Sequence, residues 1–183
     1  MKKNNLQGFT LVEMLITVGV FAIVSVVTSS IFINVNNLQQ QTGNLQRLQN
    51  EGRYLLEKIA KEIRSRELDY GLIGFPNGGL TDKLDFKVDE LGDLMSIRFD
   101  NQNKIILISI NGSEEKLNSD QVEIKDLKFK VYPSTNPFNY ATTSSEVMQP
   151  RVTIYLKLSN KGVSEKYLKN LNLQTTISSK IYK

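Results

Sequence analysis

The chain has 183 residues, with 23 Lys and Arg against 19 Asp and Glu and a formal net charge of +4. It contains neither His nor Cys, which excludes histidine-bearing metal sites, cysteine nucleophiles, Ser-His-Asp catalysis and any disulfide staple. No enzyme, cofactor or metal chemistry is expected, and the roughly 110 residues left beyond a long N-terminal helix are the size of one ordinary domain.

The N-terminus is polar and basic, Met1-Lys2-Lys3-Asn4-Asn5-Leu6-Gln7, and is followed by Gly8-Phe9-Thr10-Leu11-Val12-Glu13. From Met14 to Ile33 no residue is charged, and Arg47 is the first basic residue after that run. About 20 apolar residues cross the hydrocarbon core of a bilayer, so a single spanning helix is predicted. Lys2 and Lys3 put the leader on the cytoplasmic side and the bulk of the chain on the exported side. A cleaved secretory signal would have an apolar core of about 7–15 residues with a small-residue site behind it. This run is longer and continues into Asn34-Val35-Asn36-Asn37. A plain membrane anchor matches the length but gives no reason for Glu13. A charge at the centre of a spanning helix costs roughly 2.5–3.5 kcal/mol even on lenient scales, so a carboxylate kept there points to a function.

The sequence G-F-T-L-V-E, with its basic leader and uninterrupted apolar run, resembles the N-terminus of type IV pilins and of the pseudopilins of type II secretion and competence systems. The resemblance implies that prepilin peptidase cuts after Gly8 on the cytoplasmic side and methylates the new N-terminal residue, Phe9. It also implies that Glu13, the fifth residue counted from Phe9, pairs with an N-terminal amine during assembly. The implied partners are other pilin or pseudopilin subunits, prepilin peptidase, the inner-membrane assembly platform and membrane lipid. The implied location is the cytoplasmic membrane, single-pass, with incorporation into a pilus or pseudopilus.

Beyond Ile33 the apolar positions Val35, Leu38, Leu45, Leu48, Leu55 or Leu56, Ile59 and Ile63 recur at helical spacing, and no proline falls between Phe9 and Leu68. A helix over that stretch would be about 90 Å long, hydrophobic all round in its first half and one-sided in its second. Gly19, Gly43 and Gly52 are expected to weaken it, by about 1 kcal/mol each where exposed. Glu57 with Lys61 and Lys58 with Glu62 stand at favourable i,i+4 spacing. The stripe is expected to pack on the chain's own sheet rather than in a coiled coil.

After Tyr70-Gly71 the period changes to two. Alternating segments run through Leu84-Phe86-Val88, Met95-Ile97-Phe99, Leu127-Phe129-Val131, Val152-Ile154-Leu156-Leu158 and Leu171-Leu173-Thr175-Ile177. A more buried run covers Ile105–Ile110, between the turns Asn101-Gln102-Asn103 and Asn111-Gly112. These are half-buried strands with one wet face. Pro133, Pro137 and Pro150 bracket a loop at Ser134–Gln149. A long helix followed by antiparallel strands gives an α+β fold with the helix on a sheet, the pilin-like architecture. The expected organisation is a leader at 1–8, a membrane and assembly half-helix at 9–33, an amphipathic half-helix at 34–68 and an exported β-rich head at 69–183. The charged helix end Leu55–Arg64 and the closing strand Leu173–Ser178 resemble a J-type minor pseudopilin or a minor pilin. The lack of a proline in the membrane half argues against a major pilin.

Acidic residues gather at Asp82, Asp85, Asp89, Glu90 and Asp93, but without the spacing of a Ca²⁺ loop. Charge is uneven: Glu51–Gln121 holds ten basic and fourteen acidic residues, Val122–Lys183 ten basic and four acidic. If their strands pair, Lys128, Lys130, Tyr132, Tyr155 and Lys157 share one exposed face, a tentative nucleic-acid face in which Lys meets phosphate and Tyr stacks on bases. The competing functional class is a single-span, membrane-anchored binding module that never polymerises, including a DNA-binding minor pilin of a competence system.

Overall fold

The computed structural model describes residues 9–71, 75, 77–88, 91–137, 148–164 and 168–179. The chain divides into two units, residues 1–43 and 44–183, and one helix, α1 (Leu11–Ser65), runs from the first into the second.

In the first unit the apolar residues of α1 lie almost wholly exposed, and the helix is long and apolar enough to cross a membrane. Three of its hydroxyls are turned back onto the helix itself. Thr17 donates to the Glu13 carbonyl at 2.7 Å, Thr28 to Val24 O at 2.8 Å and Ser29 to Ser25 O at 2.8 Å. Satisfying hydroxyls within the segment removes the cost of presenting them to hydrocarbon.

In the second unit the helix becomes one-sided as expected, but its buried face starts later than the periodicity suggests. Leu48, Leu55, Ile59 and Ile63 are fully buried, whereas Val35, Leu38 and Leu45 stay exposed. Gly52 and Ala60 belong to the buried face too. Gly52 is not a weak point in a solvated helix, because a Cβ there would meet Leu173 and Leu158. Of the anticipated helix ion pairs, Glu62 instead binds Arg66, at 3.3 Å. The helix ends at Ser65, three residues short of the expected Leu68. Leu68 is buried and forms an isolated bridge with Phe86.

The strands form two antiparallel four-stranded sheets, where one had been expected. The first contains β1 (Leu80–Thr81), β6 (Val122–Tyr132), β7 (Arg151–Asn160) and β8 (Asn170–Ser178), in the order β1-β6-β7-β8. The second contains β2 (Lys83–Asp85), β3 (Met95–Asp100), β4 (Ile105–Ile110) and β5 (Ser113–Lys116), in chain order. Their inner faces and α1 share one core that includes Leu55, Ile59, Phe86, Ile97, Ile106, Phe129 and Ile154. Buried Asn118 joins the two sheets. Its Oδ1 accepts from Ile106 N at 3.0 Å, and its Nδ2 donates to Val122 O at 3.0 Å. Two further bonds fasten α1 to the strand ends: Ser119 N donates to Glu51 Oε1 at 2.6 Å, and Asn160 Nδ2 to Asn44 O at 3.1 Å.

Several strand limits differ from the periodic reading. β6 begins at Val122 rather than Leu127, because a bulge between Ile124 and Asp126 shifts the alternation. Val88 lies outside any strand and is exposed. The edge strand β5, Ser113-Glu114-Glu115-Lys116, carries no apolar residue and leaves no period-two trace. It is set by the β4–β5 turn, where Asn111 and Gly112 both take positive φ, and its charges suit an unpaired edge. Part of the Ser134–Gln149 loop, residues 138–147, lies outside the described residues.

Candidate functional site

Leu11, Val12 and Glu13 of the N-terminal signature open α1, and Thr10 stands just before them. Thr10 Oγ1 accepts from Glu13 N at 3.3 Å, while Glu13 Oε2 accepts from Thr10 N at 3.4 Å and from the Thr10 hydroxyl at 3.3 Å. This reciprocal arrangement is a capping box: the side chains of Thr10 and Glu13 each satisfy a backbone donor at the helix start. The carboxylate also stands at the positive end of the helix dipole. The role of Thr10 was missed from the sequence, although the spacing T-x-x-E was its signal. Phe9 is exposed, and Gly8 lies outside the described residues. Around Glu13 the helix offers Leu11, Val12, Met14 and Leu15, all exposed. One carboxylate is therefore carried on an otherwise apolar surface.

The five residues read as a nucleic-acid face do come together. Lys128, Lys130 and Tyr132 on β6 and Tyr155 and Lys157 on β7 all lie on the face of the first sheet opposite the core. Lys128 is opposite Tyr155, Lys130 opposite Thr153 and Tyr132 opposite Arg151. Arg151 was missed; the alternation of Val152, Ile154 and Leu156 would have placed it outward. Its guanidinium stands 5.4 Å from the centre of the Tyr132 ring. β8 continues the face with Asn172 beside Lys157 and Gln174 beside Tyr155. Lys128 is 3.9 Å from Asp82, a pair exposed enough to be worth little.

The acidic cluster does not converge. Asp85 pairs with Lys83 at 2.7 Å, and Asp93 accepts from Asn111 Nδ2 at 2.6 Å. Asp89 and Glu90 lie outside the described residues, and among the described residues no group of three or more metal-binding side chains occurs.

An exposed apolar N-terminal helix with a capped carboxylate, followed by a β-rich unit, defines an α+β, pilin-like layout. Residues 3–29 match the family model of the prokaryotic N-terminal methylation motif. The chain thus carries the prepilin-type signature of type IV pilins and pseudopilins, and with it the features of a prepilin peptidase substrate. That motif belongs to a structural family rather than a catalytic one, and it goes with assembly alongside other pilin subunits. The apolar helix fits a membrane-anchored pilin. No curated protein and no solved structure matches the chain.

Proposed function

We propose that the chain is a minor subunit, pilin or pseudopilin, of a type IV pilus or a type II secretion pseudopilus. Cleavage falls between Gly8 and Phe9, Phe9 becomes the methylated N-terminus, the leader is cytoplasmic and the head is exported. The observation that carries this reading is Glu13: a carboxylate on the first turn of a helix whose surroundings are otherwise apolar and exposed.

Cleavage would leave a cationic amine on Phe9, immediately before the capping box. In the single chain, Glu13 already caps its own first turn through Oε2. Those bonds are 3.3–3.4 Å long, at the weak end of hydrogen bonding. A charged amine from a neighbouring subunit would bind the carboxylate more strongly than the Thr10 contacts do. It would also neutralise a group that is costly to hold in lipid. Pairing therefore favours the assembled state over the lone subunit in the membrane and fixes how far one helix sits along the next. The apolar surface around Glu13 supplies the remaining contact area.

The minor assignment is supported by the proline-free membrane half and by the charged helix end Leu55–Arg64. The test combines two substitutions. Glu13→Ala is expected to insert and be processed normally, but to be depleted at least tenfold from sheared filaments relative to the membrane fraction. Gly8→Leu is expected to keep its leader, read as intact mass in the membrane fraction. Normal filament incorporation of Glu13→Ala, or a mature Phe9 N-terminus in Gly8→Leu, would overturn the proposal. A wild-type chain that is processed yet never enters filaments would favour a membrane-anchored binding module.

A further inference from the structure

The two sheets treat their charges differently. On and around the second sheet, most cations are neutralised locally, Lys104 at the β3–β4 turn excepted. Arg98 grips Glu114 through both Nε and Nη2, at 2.9–3.0 Å, Lys83 binds Asp85, Lys116 binds Asp120 and Lys87 binds Glu67. On the outer face of β6–β8, Lys130 and Lys157 make no ion pair with any described residue. Lys128 has only its long contact with Asp82, and Arg151 lies over the Tyr132 ring. Asp126, opposite Lys157, and Glu123, opposite Ser159 and paired with Lys125 at 2.8 Å, are the carboxylates among the residues of β6–β8 that continue this face. This strand surface therefore carries a local positive excess, with Lys130 and Lys157 left without a carboxylate partner among the described residues.

That surface also holds two aromatic platforms. Tyr132 is 50% and Tyr155 38% exposed, far more than core aromatics such as Phe129. Residues two apart on a strand stand about 6.6–6.8 Å from one another, so Lys128 and Lys130 form a short row that an extended phosphodiester chain can follow. Tyr155 lies directly across from Lys128 and Tyr132 across from Arg151, which puts a ring beside a cation at each end of the row. Asn172, Gln174 and Thr176 extend the face with amides and a hydroxyl. An anionic polymer without rings would use the lysines and leave the tyrosines without a role.

We propose that the outer face of β6, β7 and β8 binds single-stranded nucleic acid, with phosphates on Lys128, Lys130 and Lys157 and bases stacked on Tyr155 and Tyr132. The cations supply most of the affinity and its salt dependence. The rings supply the preference for unpaired bases. This site is independent of filament entry: it uses no residue of α1 and would operate on the lone subunit as well.

The test uses the full chain in non-ionic detergent and a fluorescein-labelled, mixed-sequence DNA strand of about 20 nucleotides, long enough for several contacts, read by anisotropy. Three or four phosphate contacts at about 0.7 each predict a log–log salt slope of about −2 to −3. Replacing both Lys130 and Lys157 by Ala should weaken binding about tenfold or more at low salt and flatten the slope by about 1.4. Tyr155→Ala should weaken binding about fivefold or more with the slope unchanged, since stacking releases no counterions. Lys116→Ala, a cation on β5 paired with Asp120, should leave affinity as it was. The same sequence as a duplex, and inorganic polyphosphate at equal phosphate concentration, should compete poorly. No binding at low salt would overturn the proposal. So would equal competition by polyphosphate or duplex, or a Tyr155→Ala variant that binds like the parent.

Discussion

Gly52→Ala tests how closely α1 approaches the first sheet. A Cβ at residue 52 would stand 2.4 Å from Leu173 Cδ1 and 2.9 Å from Leu158 Cδ1. Ordinary carbon contacts lie at about 3.5–4.0 Å, so Leu173 must withdraw by about 1.1 Å or more and Leu158 by about 0.6 Å or more. Leu173 is half-buried and can turn towards solvent, whereas Leu158 is fully buried. Overpacking of this kind costs about 1–3 kcal/mol. Alanine recovers about 1 kcal/mol of helix propensity over glycine, which leaves a net loss of about 1 kcal/mol. Leu173→Ala alone should cost about 1–2 kcal/mol, at or below the lower end for a buried leucine because the side chain is half-buried. In the double variant the new methyl occupies space that the leucine left, so its stability should exceed the additive value by about 1 kcal/mol. The assay is urea unfolding of the full chain in non-ionic detergent, followed by tyrosine fluorescence, since the chain has no Trp. If Gly52→Ala instead stabilises by the full propensity gain and is additive with Leu173→Ala, the close approach of helix and sheet is refuted.

Three other outcomes are expected. Hydrogen bonds from the Asn103 side chain, then from the Asn103 and Gln102 backbone N–H groups, hold the Asp100 carboxyl below its ordinary value of 3.8. A depressed folded pKa gives stability that is present above about pH 4 and lost as pH falls through the lowered value. The difference in melting temperature between wild type and Asp100→Ala should therefore be widest near neutrality and close towards pH 3. Burial pushes the Tyr70 hydroxyl up to about 12, and that hydroxyl has no hydrogen-bond partner among the described residues. Because the folded value is raised, stability falls as pH rises from 10 towards 12. Tyr70→Phe should remove that alkaline loss and unfold at equal or higher urea concentration at pH 7, by up to about 1 kcal/mol; a clear loss would mean that the hydroxyl is bonded. Finally, Glu51→Ala leaves Ser119 N without its acceptor and should cost about 0.5–1.5 kcal/mol, while Glu51→Gln, which keeps a side-chain carbonyl, should cost less in the same unfolding assay.

The parts of the fold that were legible in the sequence are those where burial leaves a period. Ile105–Ile110, Val152–Leu158 and Leu171–Ile177 each bury one face or more and were readable as strands. The stripe from Leu48 to Ile63 was readable as a buried helix face. Features governed by backbone geometry or by partners were hidden. β5 has only charged and polar side chains, so its existence depends on the Asn111-Gly112 turn and on the free edge of β4. The bulge at Ile124–Asp126 breaks the alternation of β6 and concealed its first five residues. The second sheet was missed because alternation shows which residues face a core but not which strands pair. Gly52 illustrates the opposite error: a residue treated as a helix weakness is buried because the facing leucines need its space.

The same distinction governs function. The N-terminal signature is legible because its chemistry is local: Gly8, the capped Glu13 and most of the apolar run lie within the residues 3–29 that match the motif. Its one missed element, the Thr10–Glu13 capping box, refines the meaning of the carboxylate. Glu13 is not left as a bare charge in the subunit before assembly, because it accepts from both the backbone and the hydroxyl of Thr10. An assembly contact must therefore compete with that cap rather than rescue an isolated ion. On the proposed function, the two weak bonds would lower the cost of waiting in the membrane, yet would yield readily to a cationic amine, whose charge they cannot match. A subunit built this way would be held in lipid and still gain free energy on leaving it. Thr10→Val should accordingly raise the cost of the unassembled state while leaving the amine contact intact, so filament entry per processed chain should stay level or rise. A fall as deep as that of Glu13→Ala would show that the cap, and not the amine, is what the carboxylate serves.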